Sequence, residues 1–221
     1  MEKIITKEFF THMYRRKNFV PRFFLMLAAV IVMGFCLSWL VLCDFGTDPC
    51  TLMNLALADT FGMAIGNWQA LFNTVLLIFV VIFGGRNLGF GTLGNMFVVG
   101  YSLQFFSWLW GIVLPAGLFE SMAVRVVVLI PALVVFVFAA ALYMDVDLGT
   151  APYDAVPYII AKHLPKIPFR FVRIAFDIVV VITGVLFGGK LGIVTVFMAF
   201  AIGPVIELVG KLLKKFIEID E

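Results

Sequence analysis

The residues able to do chemistry in this chain are few, and they lie where chemistry is costly. Asp177, Glu207 and Asp154 are acids within or beside long apolar runs, and an ionised carboxylate in hydrocarbon costs free energy unless it is paired or reaches water. Each has a neutral polar counterpart earlier in the chain: Asn73 for Asp177, Gln104 for Glu207 and Thr51 for Asp154. At three matched places, then, a neutral group becomes an acid. If these six residues share one cavity, its chemistry is that of a proton or cation, because a neutral substrate would not require three charges in one half. The structural alternatives are local. Asp177 follows Arg173 by four residues and Glu207 precedes Lys211 by four, so each could form an intrahelical pair; Asp154 could cap a helix from its first turn.

The matching rests on an internal repeat. Asp44-Phe45-Gly46-Thr47-Asp48-Pro49-Cys50-Thr51 returns as Asp147-Leu148-Gly149-Thr150-Ala151-Pro152-Tyr153-Asp154. Nearly the same offset carries Gly84-Gly85-Arg86 to Gly188-Gly189-Lys190, Gly89 to Gly192, Thr92 to Thr195 and Gly100 to Gly203. Half of the chain is a copy of the other half. In each copy a glycine able to take φ > 0 precedes a proline, which presets the first turn of a new helix. Gly46, Thr47 and Pro49, like Gly149, Thr150 and Pro152, therefore mark the end of one apolar helix and the start of a short one.

Composition sets the solvent. Of 221 residues, 63% are hydrophobic and 14% charged, and the mean hydropathy is +1.10; so little polar material cannot cover a water-soluble globule, and the lipid bilayer is the expected partner. A net charge of +2 gives no reason to expect nucleic acid. Cys36, Cys43 and Cys50 are odd in number and suggest neither a disulfide framework nor a metal site. H-E-x-x-H and G-x-S-x-G are absent, and the two histidines, His12 and His163, fall in a tail and a basic loop. Gly184 to Lys190 has phosphate-loop spacing, but Leu191 stands where Ser or Thr would hold magnesium. No enzyme and no cofactor is expected.

The elements that must position the polar residues follow in order. Residues 1–18 form a basic segment, and Phe19 to Cys43 is long enough to cross a core of about 30 Å, with Pro21 in its opening turn. Thr51 to Phe61 reaches about half that thickness, so it reads as a half-helix, re-entrant or interfacial. Asn67 to Phe83 is a second span, and Thr92 is expected to cap a third, which runs to about Trp110. Pro115 to Ser121 is a short linker. The second copy repeats the plan: spans Ala123 to Met144, Phe169 to Phe187 and Val194 to Leu213, with a short helix from Tyr153 to Leu164.

The expected fold is all-α and polytopic: a single membrane domain over residues 19–213, with repeat 1 at about 19–110, repeat 2 at about 123–213 and a tail over 214–221. Three crossings per repeat, an odd number, invert the second copy relative to the first. With both termini cytoplasmic, all of the 16 basic residues except Arg125 and Lys190 then lie inside. If the short helices cross fully, eight spans and parallel repeats result, and the charge rule is served equally well. Length favours six.

The G-x-x-P turn before a short helix, followed by a basic loop with G-x-x-T, resembles the YczE/YyaS/YitT group of bacterial membrane proteins. Gly46, Thr47, Pro49, Arg86, Gly89, Gly91, Thr92, Asn95 and Gly100 carry the likeness in the first copy; Gly149, Thr150, Pro152, Lys190, Gly192, Thr195 and Gly203 carry it in the second. The second copy departs at Val194 and Met198, where the pattern has glycine and asparagine. The resemblance implies a multi-pass protein of the bacterial cytoplasmic membrane and implies no activity. Inverted repeats with interrupted helices suit a transporter or channel for a small molecule or ion. An accessory scaffold is the second expectation and a membrane-embedded enzyme the third.

Overall fold

The computed structural model describes residues 18–83 and 88–216, without the side chains of Glu207 and of residues 213–216. The N-terminal segment before residue 18, the loop holding Arg86 and the last five residues lie outside this description. Regular structure among the described residues is entirely helical: α1 (Phe19–Cys43), α2 (Pro49–Thr60), α3 (Ile65–Phe83), α4 (Phe90–Val113), α5 (Met122–Asp145), α6 (Pro152–His163), α7 (Phe169–Leu186) and α8 (Ile193–Phe216), with a 3-10 turn at Leu118–Glu120. Within α4, Asn95–Val99 is a π-helical segment.

Caps explain why these boundaries lie close to those read from the sequence. Asp48 caps α2, its Oδ1 accepting the Thr51 N–H at 3.0 Å, and Pro49 opens the helix. Pro152 opens α6, with Asp154 in its first turn and Lys162 and His163 in its last, which complements the helix dipole at both ends. Thr92 acts differently from expectation. Helix α4 starts earlier, at Phe90, and Thr92 caps from inside, its hydroxyl accepting the Gly89 N–H at 3.0 Å.

Helices α1, α3, α4, α5 and α8 are long and apolar enough to cross a membrane. Length alone predicts six spans, and α7 is the difference. Its 18 residues reach about 27 Å, but Arg170, Arg173 and Asp177 add more charge than an ordinary apolar span carries.

The core forms around α1 and α5, which run antiparallel. At one end Arg22 donates from Nη1 to the Val146 carbonyl at 3.1 Å; at the other, Arg125 Nη1 lies 3.9 Å from Asp44 Oδ2. Arg22 and Arg125 are repeat counterparts, and each reaches the C-terminal end of the other's helix, Arg22 to a backbone carbonyl and Arg125 to a carboxylate. Between the ends, Met26, Val30, Leu37 and Leu40 pack with Ala132, Phe136, Tyr143 and Val146.

The same reciprocity governs the turns. Val194 N–H donates to Phe45 O at 3.0 Å, and Gly91 N–H donates to Leu148 O at 2.9 Å, so each half's turn pairs with the other half's glycine loop. Gly46 and Gly149 adopt φ of 94° and 121°. A Cβ on Gly46 would lie 2.9 Å from Gly192 Cα, and one on Gly149 would lie 2.9 Å from Gly89 Cα. Only glycine meets both demands. Tyr143 bridges one of these crossings, its hydroxyl within 3.0 Å of Gly149 O and 3.1 Å of Gly91 O.

Candidate functional site

The short helices bring their N-termini into one neighbourhood. Cys50, in the first turn of α2, packs in a cluster with Met53, Tyr153 of α6 and Val180 of α7. Cys50 and Tyr153 occupy matching places in the two copies. Helix N-termini carry partial positive charge, which favours the carboxylates gathered there.

Arg173 is the hub of those carboxylates. Its Nε donates to Asp177 Oδ2 at 3.0 Å and its Nη1 to Asp154 Oδ1 at 2.7 Å. The second oxygen of Asp177 accepts the Tyr153 hydroxyl at 2.6 Å, and the guanidinium carbon stands 5.3 Å from the Tyr153 ring centre. Both oxygens of Asp177 are thus bonded, and the residue is 2% exposed. The Asp154 side chain is 37% exposed and that of Arg173 27%, so the chain of contacts leads from an accessible acid through a cation to a sealed one. Chemically it holds a guanidinium fixed between two carboxylates.

A third acid completes the neighbourhood. Asp48 lies within electrostatic range of both Asp154 and Asp177. Its Oδ2 is buried without a hydrogen-bond partner, as is Oδ1 of Asn54, whose amide nitrogen donates to Cys50 Sγ at 3.3 Å. Among the described residues, no group of three or more His, Cys, Asp or Glu is arranged to hold a metal ion.

Of the six polar residues singled out by the repeat, Asp154 and Asp177 meet through Arg173. Thr51 is buried and gives its backbone N–H to Asp48. Asn73 is buried in α3. Gln104 accepts the Gly66 N–H at 3.0 Å and ties α4 to the first turn of α3. The Glu207 side chain lies outside the described residues. An open groove lined by Ile31, Phe97, Tyr101 and Phe105 is apolar and holds none of the six.

Sequence reasoning passed over Asp48 and Tyr153 and treated Arg173 only as a local partner of Asp177. Two signals were available. Gln69 corresponds to Arg173 as Asn73 does to Asp177, so the whole i, i+4 pair changes from neutral to ionic between copies. Asp48 corresponds to Ala151, the reverse of the neutral-to-acid pattern used to find the others.

No solved structure matches this chain. It is 27% identical over 183 residues to an uncharacterized protein of Haemophilus influenzae, covering 83% of this chain and 80% of that one. It is 21% identical over 193 residues to the uncharacterized membrane protein YczE of Bacillus subtilis, covering 87% of this chain and 86% of that one. The resemblance carried by the turn and loop glycines thus extends along the chain. A family model, described as a family of unknown function (DUF6198), matches residues 20–211; this all-helical membrane protein belongs to that family.

Proposed function

We propose that the protein is a multi-pass transporter or channel of the bacterial cytoplasmic membrane, moving a small solute or ion past the Asp154–Arg173–Asp177 cluster between two inverted repeats. The observation that carries the reading is the convergence of two half-helix N-termini on a connected ionic chain that runs from a 37% exposed carboxylate to a 2% exposed one. Discontinuous helices meeting at a polar centre are how secondary transporters build a substrate site. Inversion is supported by the antiparallel run of the counterpart helices α1 and α5. It is supported also by the grouping of Asp44, Arg125 and Lys190, three residues that six spans place outside, through contacts of 3.9 Å and 3.2 Å. Both termini are then cytoplasmic. Single cysteines at Arg86 and Lys190 should label from opposite sides of the membrane; labelling from one side would return the parallel eight-span arrangement.

The functional test is flux in liposomes containing the purified protein. Asp177→Asn should abolish proton or solute flux while the protein remains folded, and Arg173→Gln should lower it. Flux that survives Asp177→Asn removes the site. One observation favours a second reading, an accessory scaffold: both Asp177 oxygens are already bonded within the protein, as a purely structural salt bridge requires. That reading expects no flux in the parent protein and loss of folding in both variants.

A further inference from the structure

The two halves cover one pair of counterpart residues differently. In the first, Gly100 of α4 lies on Gln69 of α3: a Cβ added to it would come within 3.0 Å of the Gln69 side chain, and Gln69 is 6% exposed. Two further bonds tie the same helices, from the Gly66 N–H to Gln104 and from the Tyr101 hydroxyl to Asn67 Oδ1 at 2.8 Å. In the second half the corresponding pair is Gly203 of α8 and Arg173 of α7. Here the helices stand apart. Gly203 is exposed, and among the described residues no neighbouring group comes within 4 Å of a Cβ added to it. The Arg173 side chain is correspondingly 27% exposed.

The divergence has a starting point along α8. Val194, Thr195 and Met198, in its opening turns, are buried, as Gly91, Thr92 and Met96 are at the start of α4. Beyond them α4 passes through the π-helical segment Asn95–Val99, whereas the counterpart stretch, Met198 to Ile202, is regular α-helix. A π turn takes one residue more than an α turn to close its hydrogen bond, so the helix beyond it emerges rotated. Pro204 then interrupts α8. Proline has no N–H to offer the Phe200 carbonyl, and a helix bends most readily at such a break. Helix α8 is therefore anchored at its beginning and hinged at the point where it parts from α7.

We infer that α8 swings about Met198–Pro204, and that its swing toward α7 lays Gly203 on Arg173 as Gly100 lies on Gln69, closing that side of the Asp154–Arg173–Asp177 cluster. This rests on the transport reading and supplies its access step. With both termini cytoplasmic, the parted helices α7 and α8 face the cytoplasm and the joined helices α3 and α4 face outside. The present arrangement is then the form open to the cytoplasm, and in the alternate form the two pairs exchange arrangements. Glycine at residue 203 serves the closed form, because only a residue without a side chain lets α8 meet the paired guanidinium without displacing it.

The experiment uses the full chain in liposomes. Nitroxide labels carried on p-acetylphenylalanine, which leaves the native cysteines untouched, are placed at two counterpart pairs: Leu71 with Phe105, and Ala175 with Leu208. All four positions are exposed. Distances are read by double electron–electron resonance. The expected result is two populations for Ala175–Leu208, the shorter matching the main population of Leu71–Phe105. Gly203→Leu adds a side chain that the open form accommodates and the closed form does not. It should melt as the parent does, lose the shorter population and lower flux about tenfold or more. Pro204→Ala, which returns the missing N–H and stiffens the hinge, should also remove the shorter population and replaces the leucine variant if that fails to fold. A single distance for Ala175–Leu208 in the parent overturns the inference, as do two populations that a folded Gly203 or Pro204 variant leaves unchanged. Two populations in a parent without flux keep the hinge and remove transport; flux in a parent with a single distance keeps transport and removes the hinge.

Discussion

The α2–α7 contact and its counterpart, α6–α3, solve one packing problem with opposite choices. In the first, Leu52 and Met53 are buried against Gly184, where an added Cβ would come within 3.0 Å of Met53 Cα. In the second, Ala155, Val156 and Ile159 are buried around Val80. Leu52 corresponds to Ala155 and Gly184 to Val80, so the large and small partners have changed sides while the helices keep their pairing. The polar residues at the same contacts have diverged too: Gln69 and Asn73 on α3 stand where Arg173 and Asp177 stand on α7. The two halves therefore share a backbone plan held by glycines and turns, while side-chain volume and charge have been free to change in compensating pairs.

The comparison breaks first at the shared plan. Gly46→Val and Gly149→Val should each cost about 4 kcal/mol, from a β-branched residue forced to positive φ and from backbone overlap with the opposite loop. Equal losses of folded, monodisperse protein on size-exclusion chromatography are the expected result. A loss in one half alone would show that the exchange is not equivalent. At the diverged positions the halves should separate. Asp177→Ala leaves Arg173 with only Asp154 and should cost about 2 kcal/mol, discounted because Arg173 is partly exposed. Asn73→Ala removes no charge and should cost less; equal destabilisation in thermal unfolding would mean the ionic pair adds nothing over its neutral counterpart. The smallest difference is at the loop threonines. Thr92 accepts the Gly89 N–H, whereas the buried Thr195 hydroxyl has no partner. Thr92→Val should cost about 1 kcal/mol, and Thr195→Val should be neutral or slightly stabilising, as read from paired melting curves.

Much of this was legible in the sequence because it is written locally. Asp44 and Asp147 leave their helices with φ of 54° and 51°, and the Gly and Pro that follow announce the turns by residue type alone. Asp177 was legible as an acid too deep to ignore. Arg173 reaching Asp154, and Tyr153 closing over Asp177, were not, because those contacts depend on how α6 meets α7 and have no fixed spacing. Asp48 escaped for another reason: as the residue before Pro49 it already has a full local explanation as a cap. The charge of α7 was visible as well, but counting residues by length alone made it an ordinary span.

The reciprocal pairing of turn and loop also governs the order in which the protein can be made. Phe45 offers its carbonyl and Gly91 its N–H early in synthesis, yet their partners, Val194 and Leu148, belong to the second half. At about 5–20 residues per second, the ribosome needs on the order of 10 s to supply them. During that interval the first half's turn and glycine loop wait without the second-half partners that fix their geometry. Any slowing of translation between the halves lengthens the wait, and any truncation before residue 194 makes it permanent. The symmetry that secures the finished molecule thus makes its unfinished form a natural client for membrane insertases and quality-control proteases.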